Sequence, residues 1–268
     1  MFTPVKVLTV AGSDCSGGAG IQADLKTFQE RDVYGMTVLT VLVAMRPEDW
    51  QHLVSPVDLE TIKRQFRTIL PGIGVAAAKT GMLPTVEIIK TVGQLFAEAK
   101  VQHLVVDPVM VCKGTSEALF PENTQAMLDY LLPIAEVVTP NSFEAAQLAG
   151  MDEIKNKAEA EKAAKRIHKS GCKNVIIKMA RVLPGKTADL LFDGQECLWL
   201  EDERINTEWT HGAGCSFSAC IAAELGKGST VKEAWKCAHD FVRAALKASF
   251  PLNQHIGPLY HKAMAKNA

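Results

Sequence analysis

The chain has 268 residues and a formal net charge of −1, and 47% of its residues are hydrophobic and 22% charged. These values are typical of a globular protein that can bury a sizeable core. Lysine and arginine are scattered without a basic stripe, so we expect no nucleic acid partner. The longest nearly apolar run, residues 38–45, is too short to span a bilayer, so we expect no membrane association.

The number and spacing of the cysteines indicate a reducing compartment. There are seven, an odd number, and no pair has the CxxC spacing of a zinc site. This usage is typical of free thiols under reducing conditions. The first residues also lack the basic segment and long apolar run of a secretory signal. We therefore predict a soluble, cytoplasmic protein.

Short apolar runs and helical patterns alternate through most of the chain. Strands are predicted at residues 5–11, 38–45, 75–79, 103–107, 136–139 and 175–178. Helices are predicted at residues 20–31, 59–70, 85–99, 123–132 and 156–169, the last opened by a capping box of Asn156 and Glu159. This alternation predicts one α/β domain over residues 1–268, with a largely parallel sheet covered by helices on both faces.

The last third of the chain departs from this alternation. Asp193 and Gly194 lie between two alternating runs in residues 187–200, which predicts a hairpin with a type I′ turn and thus a short antiparallel ribbon. Residues 210–225 pass from a polar loop into an apolar helix. Thr230 and Glu233 form a second capping-box pattern, which predicts a helix that runs to about Lys247.

Several polar or glycine-rich segments come directly after predicted strands. They are residues 12–14, 79–81, 107–108 and 139–141. In an open α/β sheet, ligands bind outside the carboxyl ends of the strands. The sequence therefore predicts that these segments gather at one edge of the sheet and form a ligand site.

The first glycine-rich corner, residues 12–20, follows the first strand and opens the first helix. It is not a Walker A motif, because no Gly-Lys-Ser or Gly-Lys-Thr ends the loop. It matches a dinucleotide fingerprint loosely, but Thr40 and Val41 stand where an acidic residue is expected. A ligand-binding loop and a tight turn without a ligand both remain open interpretations.

The second corner, residues 210–217, places small residues at a helix N-terminus, where backbone amides and the helix dipole attract an anion. In this field a lowered pKa is expected for the Cys215 thiol. The alternative is that Cys215 is a buried small side chain that packs the corner.

Acidic residues and one lysine complete the candidate site. Asp107 ends a strand, and Asn141 and Glu144 are three residues apart at a helix start. Asn-x-x-Glu can hold Mg²⁺ through water, or it can be a capping arrangement within the helix. Lys178 ends a strand beside the other loops, and its alternative is a solvated lysine.

Together these corners resemble the ribokinase-like kinases of the thiamine and vitamin B6 branch. The chain resembles hydroxymethylpyrimidine/phosphomethylpyrimidine kinase and its bacterial relative, the pyridoxal kinase of bacilli and staphylococci. The resemblance implies a ribokinase-like three-layer α/β/α sandwich. The matching stretches span nearly the whole chain in order: VLTVAGSDCSGGAGIQADLKTFQERDVYGMTVLTVLVAM, AAKTGMLPT, VVDPVMVCKG, VVTPNSFEAAQL and THGAGCSFSACIAAELGKG.

The resemblance also implies roles for individual residues, with ATP as phosphate donor and Mg²⁺ as cofactor. Cys215 would be the catalytic base, and the transferred phosphoryl group would lie at Gly212, Ala213 and Gly214. Cys112 would lie on a flap over the ring, where its thiol would either add to an aldehyde or only pack on the ring. The remaining implied residues are Gly12, Ala19, Asp24, Met45, Met82, Val109 and His211 for the acceptor ring, Asp107, Asn141, Lys178, Thr187, Asp189 and Gly214 for ATP, and Asp107 and Glu144 for the metal.

Two departures from the family pattern bear on the activity. Pyrimidine kinases of this family usually carry Gln where this chain has Met45, and a thioether cannot pair with an aminopyrimidine edge. Met45 and Cys112 therefore favour a pyridoxal-type acceptor. The second departure is Lys178-Met179-Ala180-Arg181, where relatives commonly have Lys-Gly-Gly, which could alter how closely the backbone approaches ATP.

Three functions are carried forward. The first is an ATP-dependent kinase of pyridoxal, pyridoxine and pyridoxamine, with hydroxymethylpyrimidine as a further candidate acceptor. The second is a hydroxymethylpyrimidine/phosphomethylpyrimidine kinase of thiamine synthesis. The third is a catalytically impaired homologue that binds the ring, and it rests on Met179 and Ala180 alone. The resemblance also implies a homodimer.

Overall fold

The computed structural model describes residues 3–110, 121–180 and 182–264. Within these residues the strands are β1 Lys6–Asp14, β2 Tyr34–Met45, β3 His52–Pro56, β4 Ala77–Thr80, β5 His103–Val106, β6 Val137–Val138, β7 Asn174–Lys178, β8 Lys186–Phe192 and β9 Cys197–Glu203. The α-helices are α1 Gly20–Glu30, α2 Leu59–Ile69, α3 Val86–Ala99, α4 Pro121–Tyr130, α5 Ser142–Leu148, α6 Lys157–His168, α7 Ala213–Gly226 and α8 Val231–Lys247.

The strands form one sheet in the order β3-β2-β1-β4-β5-β6-β7-β8-β9. Pairing is parallel from β2 through β1 and β4 to β7. It is antiparallel at the two ends, where β3 pairs with β2 and the β8–β9 ribbon follows β7. The predicted mostly parallel sheet with a short antiparallel ribbon is confirmed.

Alternate side chains of the buried strands feed two separate cores. Leu8 and Val10 of β1 pack in a core with residues of α2 to α6, including Phe66. Val7 packs in the opposite core with residues of α1, α7 and α8, including Phe28. Because neighbouring strand residues point to opposite faces, this division makes three layers, as expected for an α/β/α sandwich.

Two local predictions need correction, and one strand was missed. Phe192 pairs with Cys197, so the β8–β9 connection has four residues rather than the two of a type I′ turn. The Asp193 carboxylate accepts the amides of Gln195 and Glu196, and this local bonding favours the longer loop. At α6 the Asn156 side chain caps the helix, but Glu159 accepts the Lys155 amide, so the capping box is incomplete. Strand β3 was not predicted.

Among the described helices, none combines the length and the apolar composition that a membrane crossing would need.

Candidate active site

A cavity of about 600 Å³ opens at the carboxyl ends of the parallel strands β1, β4, β5 and β6. Except for Asp24 and Met45, the described residues that the sequence indicated for the site line this cavity. Cys112 lies outside the described residues. The predicted residues that line the cavity are Gly12, Ala19, Met82, Asp107, Val109, Asn141, Glu144, Lys178, Thr187, Asp189, His211, Gly212, Ala213, Gly214 and Cys215.

The two glycine-rich corners pack directly against each other. Gly212 has a φ of +83°, and a Cβ there would lie 1.9 Å from the Gly18 carbonyl oxygen. Gly20 has a φ of +57°, and a Cβ there would lie 2.2 Å from the Gly12 carbonyl oxygen. Only glycine fits either place, so the chain holds the start of α7 against the start of α1 without side chains in between. The first amides of α7, which have no partner within the helix, thereby border the cavity.

A buried contact between Asp14 and His211 ties the two corners together. Asp14 accepts the amides of Ser16 and Ala19, and its Oδ2 lies 2.7 Å from Nε2 of His211. Burial alone would raise the pKa of Asp14, but hydrogen bonds from His211 and Ser16 outweigh it and lower the pKa to about 2. Asp14 is therefore a carboxylate at neutral pH and fixes the His211 ring at the cavity wall. Asp14 was not among the residues predicted for the site, although it lies within the first glycine-rich corner.

Cys215 lies in the first turn of α7, half-buried at the cavity wall. Burial raises the pKa of its thiol to about 12, with Asp24 and Asp107 acting in the same direction. Lys79 and the Gly20 amide oppose this shift but do not overcome it. The expectation of a lowered pKa is therefore wrong, because desolvation outweighs the field of the helix terminus.

Asp24 does not reach the cavity. Its side chain is 0% exposed, and its Oδ2 accepts Oγ1 of Thr9 at 2.6 Å and Nζ of Lys79 at 3.0 Å. Lys79 is likewise 0% exposed. The expected contact of Asp24 with the acceptor ring is corrected here to a buried ion pair beneath the site.

Met45 lies next to the cavity rather than in its wall. It faces the same side of β2 as Val43, and it pairs in register with His52 of β3. Val43 and His52 both line the cavity, while Met45, two residues further along, does not. His52 was missed from the sequence because a five-residue, mostly exposed strand leaves no clear hydrophobic pattern.

Asp107 lines the cavity, and its carboxylate contacts side chains from β7, from α7 and from the loop after β6. Its Oδ1 lies 3.4 Å from Nζ of Lys178 and from Oγ1 of Thr139, and its Oδ2 accepts Oγ of Ser218 at 3.0 Å. Asp107 thus links β5 to β7 and to α7. Lys178 is not the solvated lysine of the alternative interpretation, since its side chain is only 14% exposed.

Glu144 forms the capping box with Asn141, as the second interpretation of this pair predicts. The carboxylate is also buried at the cavity, and burial raises its pKa to about 7, with Lys178 opposing the shift and Asp107 adding to it. Asp107 and Glu144 thus offer carboxylate oxygens close to each other, a donor set that suits a magnesium ion. The residues present therefore fit the expected metal, and the capping role does not compete with it.

A set of cavity residues that the sequence did not indicate lies on α8. His239, Val242, Arg243 and Leu246 recur at helical spacing and line the cavity beyond Thr187. From sequence alone this i, i+3, i+4, i+7 stripe is indistinguishable from a core-facing stripe. The α8 stripe therefore adds a helix face to the cavity wall on the side predicted for ATP. Hydrophobic periodicity alone could not show that this face lines a cavity.

The residues that replace the glycines of the family pattern do not obstruct the cavity. Met179 is 0% exposed and packs in the core with α2 to α6, and its amide donates to the Ala188 carbonyl. Ala180 lines the cavity with only a methyl group. Neither residue has a positive φ, so no glycine is required at either position.

The sheet order with helices on both faces and the cavity at the carboxyl ends of the parallel strands are those of a small-molecule kinase of the ribokinase-like class. The chain belongs to the phosphomethylpyrimidine kinase family, whose model matches residues 14–260.

The chain is similar to pyridoxal and pyridoxine kinases and also to hydroxymethylpyrimidine/phosphomethylpyrimidine kinases. Pyridoxine kinase from Bacillus subtilis is 55% identical over 264 residues, covering 98% of this chain and 97% of that protein. The structure of pyridoxal kinase from Staphylococcus aureus in complex with AMP-PCP and pyridoxal matches with a TM-score of 0.93 at 45% identity, covering 99% of this chain and 96% of that chain. Hydroxymethylpyrimidine/phosphomethylpyrimidine kinase from Haemophilus influenzae is 41% identical over 266 residues, covering 97% of this chain and 98% of that protein.

Proposed function

We propose that the chain is an ATP-dependent kinase that phosphorylates the hydroxymethyl group of pyridoxal, pyridoxine and pyridoxamine. The observation that carries this proposal is the continuity of one cavity across the α7 corner. On one side Gly212 packs against Gly18, near the part of the cavity lined by Gly12 and Met82. On the other side a Cβ on Gly214 would lie 3.6 Å from Nζ of Lys178, so the corner also borders the expected polyphosphate region.

The character of the acceptor side supports a B6 vitamer. Val43 and Met82 give this end apolar walls, and Met45 beside them offers no amide. A site that hydrogen-bonds a polar edge discriminates far more strongly than an apolar wall does. The absence of an amide at residue 45 therefore favours a pyridoxal-type ring over an aminopyrimidine.

Hydroxymethylpyrimidine is the second candidate acceptor. The observation that favours it is the 41% identity with the Haemophilus influenzae kinase, which extends over nearly the whole chain. The third function, a ring-binding homologue impaired toward ATP, loses its only support, because Met179 points into the core and Ala180 adds only a methyl group.

In the proposed reaction the acceptor hydroxyl oxygen attacks the γ-phosphorus of ATP, and ADP leaves with the bridging oxygen. Such transfers depend mainly on positioning and on stabilising charge. The first-turn amides of α7 and the Lys178 ammonium are the donors placed for the developing negative charge. Cys215 in its thiolate form takes the hydroxyl proton, and a positioned base of this kind contributes about 10²–10⁴-fold.

Mg²⁺ would be held by Asp107 and Glu144, directly or through water. When bound it neutralises phosphate charge and orients the transferred group. Asn141 keeps Glu144 in place through the capping box, and Ser218 keeps Asp107 in place from α7. These hydrogen bonds orient both carboxylates before any ligand arrives.

A homodimer is part of this proposal, with β3 at the interface. Leu42 and Leu53 lie on the outer side of β2 and β3, each with 51% of its surface exposed, and Tyr34 is 58% exposed. The register places Leu42 and Leu53 on the same face. Exposed leucines grouped on an edge strand and on the strand beside it are typical of an interface. Sedimentation of the wild-type chain and of Leu53→Lys tests this, since the substitution should shift a dimer to a monomer.

A reducing, cytoplasmic location is also proposed. Its support is that all described cysteines are free, namely Cys15, Cys172, Cys197, Cys215, Cys220 and Cys237.

The function is tested by following phosphate transfer from ATP to pyridoxal by ³¹P NMR. The expected product is the phosphate ester at the hydroxymethyl group, formed in step with ADP. Cys215→Ala is the matched control, because it keeps the corner and removes the thiol. ADP formation without the ester would contradict the proposal.

A further inference from the structure

His239 of α8 lies between two carboxylates. Its Nδ1 is 2.7 Å from Oδ2 of Asp189 on β8, and its Nε2 is 2.7 Å from Oδ2 of Asp202 on β9. The His239 side chain is only 5% exposed. An ionised carboxylate can only accept a hydrogen bond, and a neutral imidazole carries one N–H. Two such contacts at once therefore require a ring that is protonated on both nitrogens.

The contacts continue one turn along α8. Nε of Arg243 lies 3.2 Å from the same Oδ2 of Asp202, and its Nη1 donates to the Glu203 carbonyl at 3.1 Å. Two cations of α8 thus hold the β8–β9 ribbon, which is otherwise the free edge of the sheet. His239 reaches further inward than Arg243, because it alone contacts Asp189.

Asp189 connects this arrangement to the cavity. It lines the cavity and pairs in register with Lys178, at the end of the cavity expected to take ATP. A bare carboxylate there would repel a polyphosphate, and the repulsion is large where water is largely excluded. The imidazolium beside it cancels this charge. Without a cation at residue 239, the nucleotide would meet the uncompensated charge of Asp189.

We propose that His239 is a positioning residue for the nucleotide half of the site, which neutralises Asp189 and fixes the β8–β9 ribbon against α8. This inference rests on the proposed use of ATP. His239 acts through Asp189 and the ribbon and does not touch the reacting atoms.

The electrostatics of the ring agree with its geometry. Burial lowers the pKa of His239, but hydrogen bonds and charge from Asp189 and Asp202 outweigh it, so that the pKa is raised above the ordinary value. The charged groups that face the ring are Asp189 from β8, Asp202 from β9 and, through Asp202, Arg243 from its own helix. A raised pKa favours the charged ring, and the charge is lost as pH rises through the folded pKa.

The test compares a neutral and a cationic replacement. His239→Gln removes the charge but keeps a hydrogen-bonding side chain, whereas His239→Lys keeps the charge. We expect His239→Gln to weaken ADP binding, measured by calorimetry, about tenfold or more, with a matching rise in KM for ATP. His239→Lys should stay within about threefold of wild type, and KM for pyridoxal should change little in either variant.

A double variant separates charge from folding. In His239→Gln/Asp189→Asn both buried charges are absent, so ADP binding should recover relative to His239→Gln alone. The inference is overturned if His239→Gln binds ADP like wild type, or if the Gln and Lys variants lose equally. It is also overturned if the double variant is no better than the single one. Because calorimetry needs no turnover, ADP binding tests this role even if the proposed acceptor is wrong.

Discussion

Lys79 donates a hydrogen bond of 3.0 Å from its ammonium group to Oδ2 of Asp24, and neither side chain is exposed to solvent. The pair lies behind the cavity wall, where a Cβ on Gly81 would be 3.2 Å from the ammonium nitrogen. It is also close enough to Cys215 for Lys79 to lower the thiol pKa and for Asp24 to raise it. A buried ion pair thus lies behind the cavity wall, close to the proposed catalytic base.

Breaking this pair is expected to destabilise the fold strongly. Lys79→Met leaves Asp24 buried without a cation, and such a change costs ~3–5 kcal/mol in the free energy of unfolding. Asp24→Leu/Lys79→Met removes both charges and should recover most of that loss. Urea unfolding of the three proteins measures the effect. A double variant as unstable as Lys79→Met would show that the pair matters for more than charge balance.

Cys215→Ala is expected to lower kcat by ~10²-fold or more, with little change in KM for pyridoxal, because the thiol acts on the proton and not on the ring. Cys215→Asp should retain more activity than Cys215→Ala. Near-normal turnover in Cys215→Ala would show that Cys215 is not the catalytic base.

The pH dependence of the same variants gives a second measurement. Because the thiol pKa is raised to about 12, the reactive thiolate is scarce at neutral pH. Wild-type kcat should therefore rise with pH up to 9, while Cys215→Asp, whose carboxylate is already ionised, should not show this rise. Identical profiles for the two proteins would contradict the role of the thiolate.

Asp14 is expected to make the free energy of unfolding depend on pH in the acid range. Its pKa is lowered from 3.8 to about 2, so its contribution is fully present above pH 4 and is lost as pH falls through 2. A shift of this size corresponds to about 2 kcal/mol. The difference in unfolding free energy between wild type and Asp14→Asn should therefore shrink from pH 6 to pH 2. A difference that is constant with pH would mean that the carboxylate charge is not what the fold uses.

Met45→Gln is expected to shift preference toward hydroxymethylpyrimidine. The side chain lies beside the ring end of the cavity, opposite His52, where an amide could reach an aminopyrimidine edge. The change in relative transition-state binding should be ~1–3 kcal/mol, the value of one good polar contact. The measurement is the ratio of kcat/KM for the two acceptors, with Met45→Leu as an apolar control. An unmoved ratio in the Gln variant would refute the argument from this residue.

The order of strands and helices and the location of the site were accessible from the sequence. Apolar runs followed by Gly12, Asp107 or Asn141 place those residues at strand ends, and a parallel sheet brings such ends together. The roles of individual residues in phosphate transfer came from family resemblance, and they remain predictions.

What the sequence did not reveal depends on burial and on contacts distant along the chain. The sign of the Cys215 pKa shift was wrong because the desolvation of the corner cannot be read from local pattern. Asp24 was assigned to the cavity because its partner Lys79 is 55 residues away. His239 went unnoticed because it forms its contacts across α8, β8 and β9.

The most direct test of the whole account is steady-state phosphorylation of pyridoxal, pyridoxine and hydroxymethylpyrimidine, measured side by side with ATP and Mg²⁺. The account predicts phosphate transfer to pyridoxal and pyridoxine. The kcat/KM for at least one of these two vitamers should exceed the kcat/KM for hydroxymethylpyrimidine. A clear preference for hydroxymethylpyrimidine, or no transfer to either B6 vitamer, would contradict it.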